Sequence, residues 1–237
     1  MGSRVHEPEV ISRARARIPK DMQVTPRTTP VISFGGPHSA RVATLGINPS
    51  CREFTMPNGQ MLPVSHKRLV DREALDVNDD TELSHEAALR VIEGCYSYFD
   101  NPKTVYKPWF GWMETYAVTP AGASYFDGSA CHLDLVQWAT SPVWRAVKPE
   151  DIKSKLLDED ADFLKFQLTQ YEIPLLLLNG REVIKQFESL RLAELEPVHD
   201  VSMQQLSRGC DFFVGKFGRS KVLAWTNNIP SQTPQPN

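Results

Sequence analysis

The five residues Gly46-Ile47-Asn48-Pro49-Ser50 place a side-chain amide on a turn with little freedom to move. Proline fixes φ and glycine allows close approach of backbone or ligand, so Asn48 stands at a defined point where its amide can hold a water. An Asn in such a turn can equally cap its own backbone. Two further polar groups follow apolar runs: His132 and Asp134 within Ala130–Trp138, and the loop Thr226-Asn227-Asn228-Ile229-Pro230-Ser231 near the end of the chain. A simple core needs no polar residues at these points. Their recurrence suggests one site, with the Gly46–Ser50 turn as a wall, assembled from distant segments.

Those segments must be brought together by regular elements. Arg41–Ile47 is a short apolar run ended by Asn-Pro and reads as a buried strand leaving into a tight loop. Ala130–Trp138 reads as a second strand with its exit loop, Ile173–Gly180 as a third that breaks at Asn-Gly, and Lys221–Trp225 as a fourth. Between them, Ser84–Phe99, with Ser84 as N-cap, Asp151–Tyr171 and Arg181–Leu190 carry helical spacing. Strands alternating with helices predict an α/β fold: a three-layer sandwich around a central, mostly parallel four-stranded sheet. In open parallel sheets, ligands bind beyond the carboxyl ends of the strands, which is where the polar loops fall. Residues 1–30, interrupted by Pro19, Pro26 and Pro30, are expected to form an arm over the surface, residues 31–231 one domain, and residues 232–237 a polar tail.

Composition bounds the partners. A chain of 237 residues with 41% hydrophobic content can bury a full core. No apolar run approaches the roughly 18 to 20 residues that span a bilayer, and the first residues lack a secretory signal's apolar stretch, so a cytoplasmic protein is expected. Cys51, Cys95, Cys131 and Cys210 form no C-x-x-C pair, which gives no expectation of a metal, an iron–sulfur cluster or a disulfide framework. The net charge of -3 does not announce a nucleic-acid binder. Charge is nonetheless unevenly distributed: Arg13, Arg15, Arg17 and Lys20 make the arm basic and able to touch phosphate, or simply solvated, whereas Asp71–Glu93 is acid-rich.

The pairing of Gly-Ile-Asn-Pro-Ser after the first strand with Ile-Pro-Ser after the last resembles the uracil-DNA glycosylase-like superfamily, whose mismatch-specific uracil and thymine glycosylases carry a Gly-Ile-Asn-Pro turn. The four strands match that family's layout. The resemblance assigns Asn48 to the attacking water and Gly46, Ile47 and Pro49 to the wall of the base pocket. It makes Phe54 the aromatic that stacks on the flipped base. Ser50 falls where uracil-specific members place a Tyr that blocks position 5 of the base, so a small residue leaves room there. Asp134, in Leu133-Asp134-Leu135-Val136, falls where the family's Asn reads the Watson–Crick edge. An ionised Asp accepts hydrogen bonds, so it suits the exocyclic amine of cytosine rather than a uracil carbonyl. Pro230 and Ser231 match the late motif, Ile229 replaces its His or Asn, and Asn228 is the nearest substitute. Lys67, Arg68 and Gln232 are candidates for DNA contact. The family's apolar wedge after that motif is missing, and an aromatic from Trp109 to Tyr116 is a candidate to replace it.

The resemblance therefore implies a monofunctional DNA glycosylase, cofactor-free and monomeric, that flips out a modified pyrimidine and hydrolyses its N-glycosidic bond. A bulky 5-substituted cytosine of phage DNA, hydroxymethylated or glucosylated, is the expected substrate, which fits a role in antiviral defence. Three alternatives stay open: a uracil or mismatched-thymine repair glycosylase, a non-catalytic reader of modified DNA, and a nucleoside hydrolase.

Overall fold

The computed structural model describes residues 6–102, 105–198 and 209–229. Its centre is a six-stranded mixed sheet in the order β2-β1-β3-β6-β5-β4. Four strands, β1 (Val42–Gly46), β2 (Ala130–Asp134), β3 (Leu175–Asn179) and β6 (Ser220–Trp225), are parallel and correspond to the four expected from the sequence. The expectation of four strands is corrected by β4 (Leu195–Pro197) and β5 (Phe212–Phe217), which extend the sheet in antiparallel sense. Their signal is a Gly-X hairpin: Gly218, at φ 55, opens the two-residue turn joining β5 to β6, a conformation that glycine adopts without steric cost.

Side chains alternate between the two faces of a strand, and the two faces meet different helices. Val42 and Leu177 join a cluster with α1 (Pro8–Ala14), α2 (His85–Tyr96) and α3 (Lys107–Met113). Ala43, Leu45, Leu176 and Leu178 join another with α4 (Glu150–Tyr171) and α5 (Arg181–Ser189). The result is three layers. Helix α2 illustrates the local logic: Ser84 accepts from Ala87 N at 3.1 Å, and Ala88, Val91, Ile92 and Cys95 bury one face at helical spacing.

The basic segment expected to lie as an arm is instead built into the domain from residue 8 onward. Val10 and Ala14 are fully buried between α2 and α4. Residues 24–34 then run along the outer edge of β2, with Thr25 N donating to Ala139 O, Val31 N to Gln137 O and Phe34 N to His132 O, each at 2.8 Å. An open sheet edge has unpaired backbone groups, and this segment satisfies them. Arg13 pairs with Asp160 and lies over the Trp138 ring, while Arg15 reaches Leu83 O and Glu82. Arg17, Lys20 and Arg27 stay exposed.

Candidate active site

On the sheet face that carries Val42 and Leu177, the carboxyl ends of the strands turn polar. Thr44, Gly46, His132, Asp134 and Asn179 occupy this face by alternation, all of them buried. Above them opens a cavity of about 810 Å³. That volume lies within the range of small-molecule sites, about 300 to 1,000 Å³.

Gly46 is required by what sits beside it. A Cβ there would lie 2.5 Å from Asp134 Oδ1 and 3.0 Å from the His132 ring. The chain then leaves β1 while Leu135 N and Val136 N still donate to Gly46 O (3.1 Å) and Ile47 O (2.8 Å). Asn48 follows, its Nδ2 donating to Trp138 O at 3.1 Å and Thr140 Oγ1 at 3.2 Å. A main-chain carbonyl only accepts, so the amide nitrogen must face it. Asn48 Oδ1 receives no donor from any described residue and is left to accept from a bound molecule.

Asp134 is 4% exposed. Its Oδ1 lies 3.3 Å from His132 Nε2 yet has no hydrogen-bonded donor among the described residues. The distance fits an electrostatic contact, but the alignment does not make a hydrogen bond. Behind it, His132 Nδ1 lies 2.7 Å from Thr44 Oγ1, which lies 2.6 Å from Tyr125 Oη. Phe34 and Phe110 pack on the imidazole. The chain holds His132 still, with Asp134 Oδ1 enclosed between the His132 ring and Gly46 while the residue lines the cavity.

Glu53 also lines the cavity, and sequence reasoning missed it. It ends the turn Cys51–Glu53, which Ser50 Oγ caps by accepting from Arg52 N at 3.2 Å. Tyr98 Oη donates to Glu53 Oε2 at 2.8 Å. Burial pushes the Glu53 carboxyl up to about 7, with Asp134 adding to the rise, while the Tyr98 hydrogen bond and Arg68 oppose it. The available signal was a charged residue directly beside the motif and flanked by the apolar Phe54. Adjacent residues point in different directions, however, and only the tertiary structure shows which one faces the cavity.

Gly46, Ile47, Asn48, Pro49, Ser50, Asp134 and Asn228 all line the one cavity. Phe54 does not: at 1% exposure it lies in the core with α2 and α3, because this short turn sends Glu53 rather than Phe54 to the opening. Tyr106, Trp109 and Phe110 provide the aromatic wall, whereas Trp112 and Tyr116 stack on each other away from it. Lys67 does not line the cavity either, being held by Asp71 at 2.7 Å and Glu73 at 3.4 Å. Arg68 donates to Arg52 O at 2.8 Å and lies over the Tyr106 ring. Cations reach the lining from elsewhere: Arg145, Lys153 and Lys185. Asn179, which the sequence marked only as a strand end, organises the last loop. Its Oδ1 accepts from Trp225 Nε1 (2.8 Å) and Ile229 N (3.0 Å), and its Nδ2 donates to Asn228 Oδ1 (3.3 Å). Ser231 and Gln232 lie outside the described residues.

No protein-family model matches this chain, and no curated protein matches it.

Proposed function

We propose that this protein is a monofunctional DNA glycosylase of the uracil-DNA glycosylase-like type, acting on a 5-substituted cytosine. The observation that carries the reading is that Asn48, whose Oδ1 accepts from no described residue, and the buried Asp134 carboxylate line one cavity. Breaking the bond between base and deoxyribose builds positive charge on the sugar and negative charge on the base. Fixed dipoles and charges are what a protein can set against both. Asn48 orients the water, and the Asp134 carboxylate accepts from the exocyclic amine of cytosine.

Size supports the substrate. The target nucleotide must be flipped out of the stack, at a cost of about a few kcal/mol, and Trp109 and Tyr106 in the cavity wall are the aromatic groups that would offset it by stacking. Ser50 leaves the wall open beside the base, and the volume of about 810 Å³ accommodates a substituent at position 5. Such bases mark phage DNA, so their removal would serve antiviral defence.

The test is incubation with DNA containing uracil, mismatched thymine, or hydroxymethylated and glucosylated cytosine, followed by alkaline cleavage of abasic sites. Strand breaks are expected with the modified cytosines, and Asn48→Ala should slow them by about 10² to 10³-fold while leaving DNA binding in place. Absence of breaks across the panel sinks the proposal. Tight binding to modified DNA without breaks would instead mark a reader, and release of bases from free nucleosides alone a nucleoside hydrolase.

A further inference from the structure

Hydrolysis requires a proton acceptor, and a neutral amide such as Asn48 is a poor one. We propose that Glu53 is the general base of the reaction, taking a proton from the water that Asn48 holds; the assignment rests on the glycosylase reading above.

The placement comes from the fold of the motif loop. Glu53 N donates to Ser50 O at 3.0 Å, closing the tight turn that directs its side chain into the cavity lined by Asn48 and Asp134. Among the described residues, one of its oxygens is engaged and the other is not. Tyr98 Oη accepts from Tyr106 N at 3.0 Å and spends its own proton on Glu53 Oε2. No described donor reaches Oε1, which is the atom available to a water. No cation forms an ion pair with Glu53 within the described residues. A carboxyl kept only for structure would be expected to be paired or fully hydrogen-bonded, since an unmatched buried acid is costly.

Three groups set its protonation: Tyr98, following α2, and Arg68, in the loop after the motif, favour the carboxylate, and Asp134, at the end of β2, opposes it. Their balance against burial leaves a carboxyl that changes charge near neutral pH, where a general base works best.

The step balances with water alone. The water oxygen bonds to C1′ as the C1′–N bond breaks, one water proton passes to Glu53 Oε1, and the bonding pair leaves with the base. The proton on Glu53 then returns through solvent to the departed base, restoring the carboxylate.

Single-turnover rates against pH, on whichever panel substrate the full-length wild type cleaves, test the assignment. The wild-type rate should rise about tenfold per pH unit and level off near pH 7. Glu53→Gln should lower the plateau by about 10² to 10⁴-fold and flatten the profile, with DNA affinity within about twofold of wild type. Tyr98→Phe removes the hydrogen bond that favours the carboxylate and should move the break to higher pH. A Glu53→Gln rate within about threefold of wild type, or a surviving break, overturns the proposal and leaves the glycosylase reading standing. A wild type that makes no abasic site on any substrate overturns both.

Discussion

In the proposed reaction Asn48 and Asp134 act on opposite ends of the bond to be broken, and their chemistry makes them separable. Asp134 accepts hydrogen bonds and cannot donate, so it disfavours a base that presents a carbonyl at the reading position. In Asp134→Asn the amide can donate, and cleavage of uracil relative to 5-substituted cytosine should rise by roughly 10 to 100-fold, matching a discrimination of about 1 to 3 kcal/mol for a base-edge contact. Competition assays with the two substrates in one tube read this ratio directly. An unchanged ratio would remove Asp134 from base reading. Gly46 belongs to the same arrangement: its missing Cβ is what lets the Asp134 carboxylate lie against β1.

At the scale of elements, α1 is tied down by one buried pair. Arg13 and Asp160 meet beside the Trp138 ring, and Asp160 also accepts from Gln137 N at 2.7 Å. Desolvation lowers Arg13 and pushes Asp160 up to about 6, although each partner favours the other's charge. Burial therefore outweighs attraction, the usual balance for a pair deep in a protein. Removing one partner strands the other, so Arg13→Ala should lose about 3 to 5 kcal/mol in urea denaturation. A loss below about 1 kcal/mol would show that α1 is held by Val10 and Ala14 alone. The same pair takes Arg13 out of reach of any phosphate, whereas Arg17 and Lys20 stay exposed.

Across the whole molecule, two properties follow from how charge is placed. The chain is net acidic at -3, yet Arg145 and Lys185 stand exposed at the cavity with no ion-pair partner among the described residues. If they meet phosphates, Arg145→Ala/Lys185→Ala should reduce the slope of log affinity against log salt by about 0.9 for each duplex phosphate that is no longer neutralised. An unaltered slope would place the DNA path elsewhere. The second property is stability against pH. Glu53 is raised from 4.5 to about 7 in the folded protein, so between these values the folded state holds a proton that the unfolded chain has released. Stability must then fall as pH rises through this window, by on the order of 3 kcal/mol from this group. Glu53→Gln should flatten that fall and be more stable than wild type at pH 8, as followed by urea midpoints. A lower midpoint for the variant at that pH would contradict the buried acid.

The four parallel strands, helices α2, α4 and α5 and the turn Gly46–Ser50 were legible in the sequence, because apolar periodicity, Asn-Pro and Asn-Gly breaks and the Ser84 cap are local signals. Asp134 and Asn228 could be nominated from the ends of their strands for the same reason. Strands β4 and β5 were not, since β4 is a three-residue edge strand and β5 is built largely of partly exposed residues, so that β4 depends on pairing with β5 and β5 on pairing with β6. Only the tertiary structure could exchange Phe54 for Glu53 at the cavity, as neighbours on one turn differ in direction by an angle that sequence does not encode. It alone could bring Tyr98, 45 residues away along the chain, to hold that carboxyl. Sequence by itself determined which segments end in polar loops. Burial, set by the packing of all three layers, decided which of those polar groups share a cavity and which carboxyl changes charge near neutral pH.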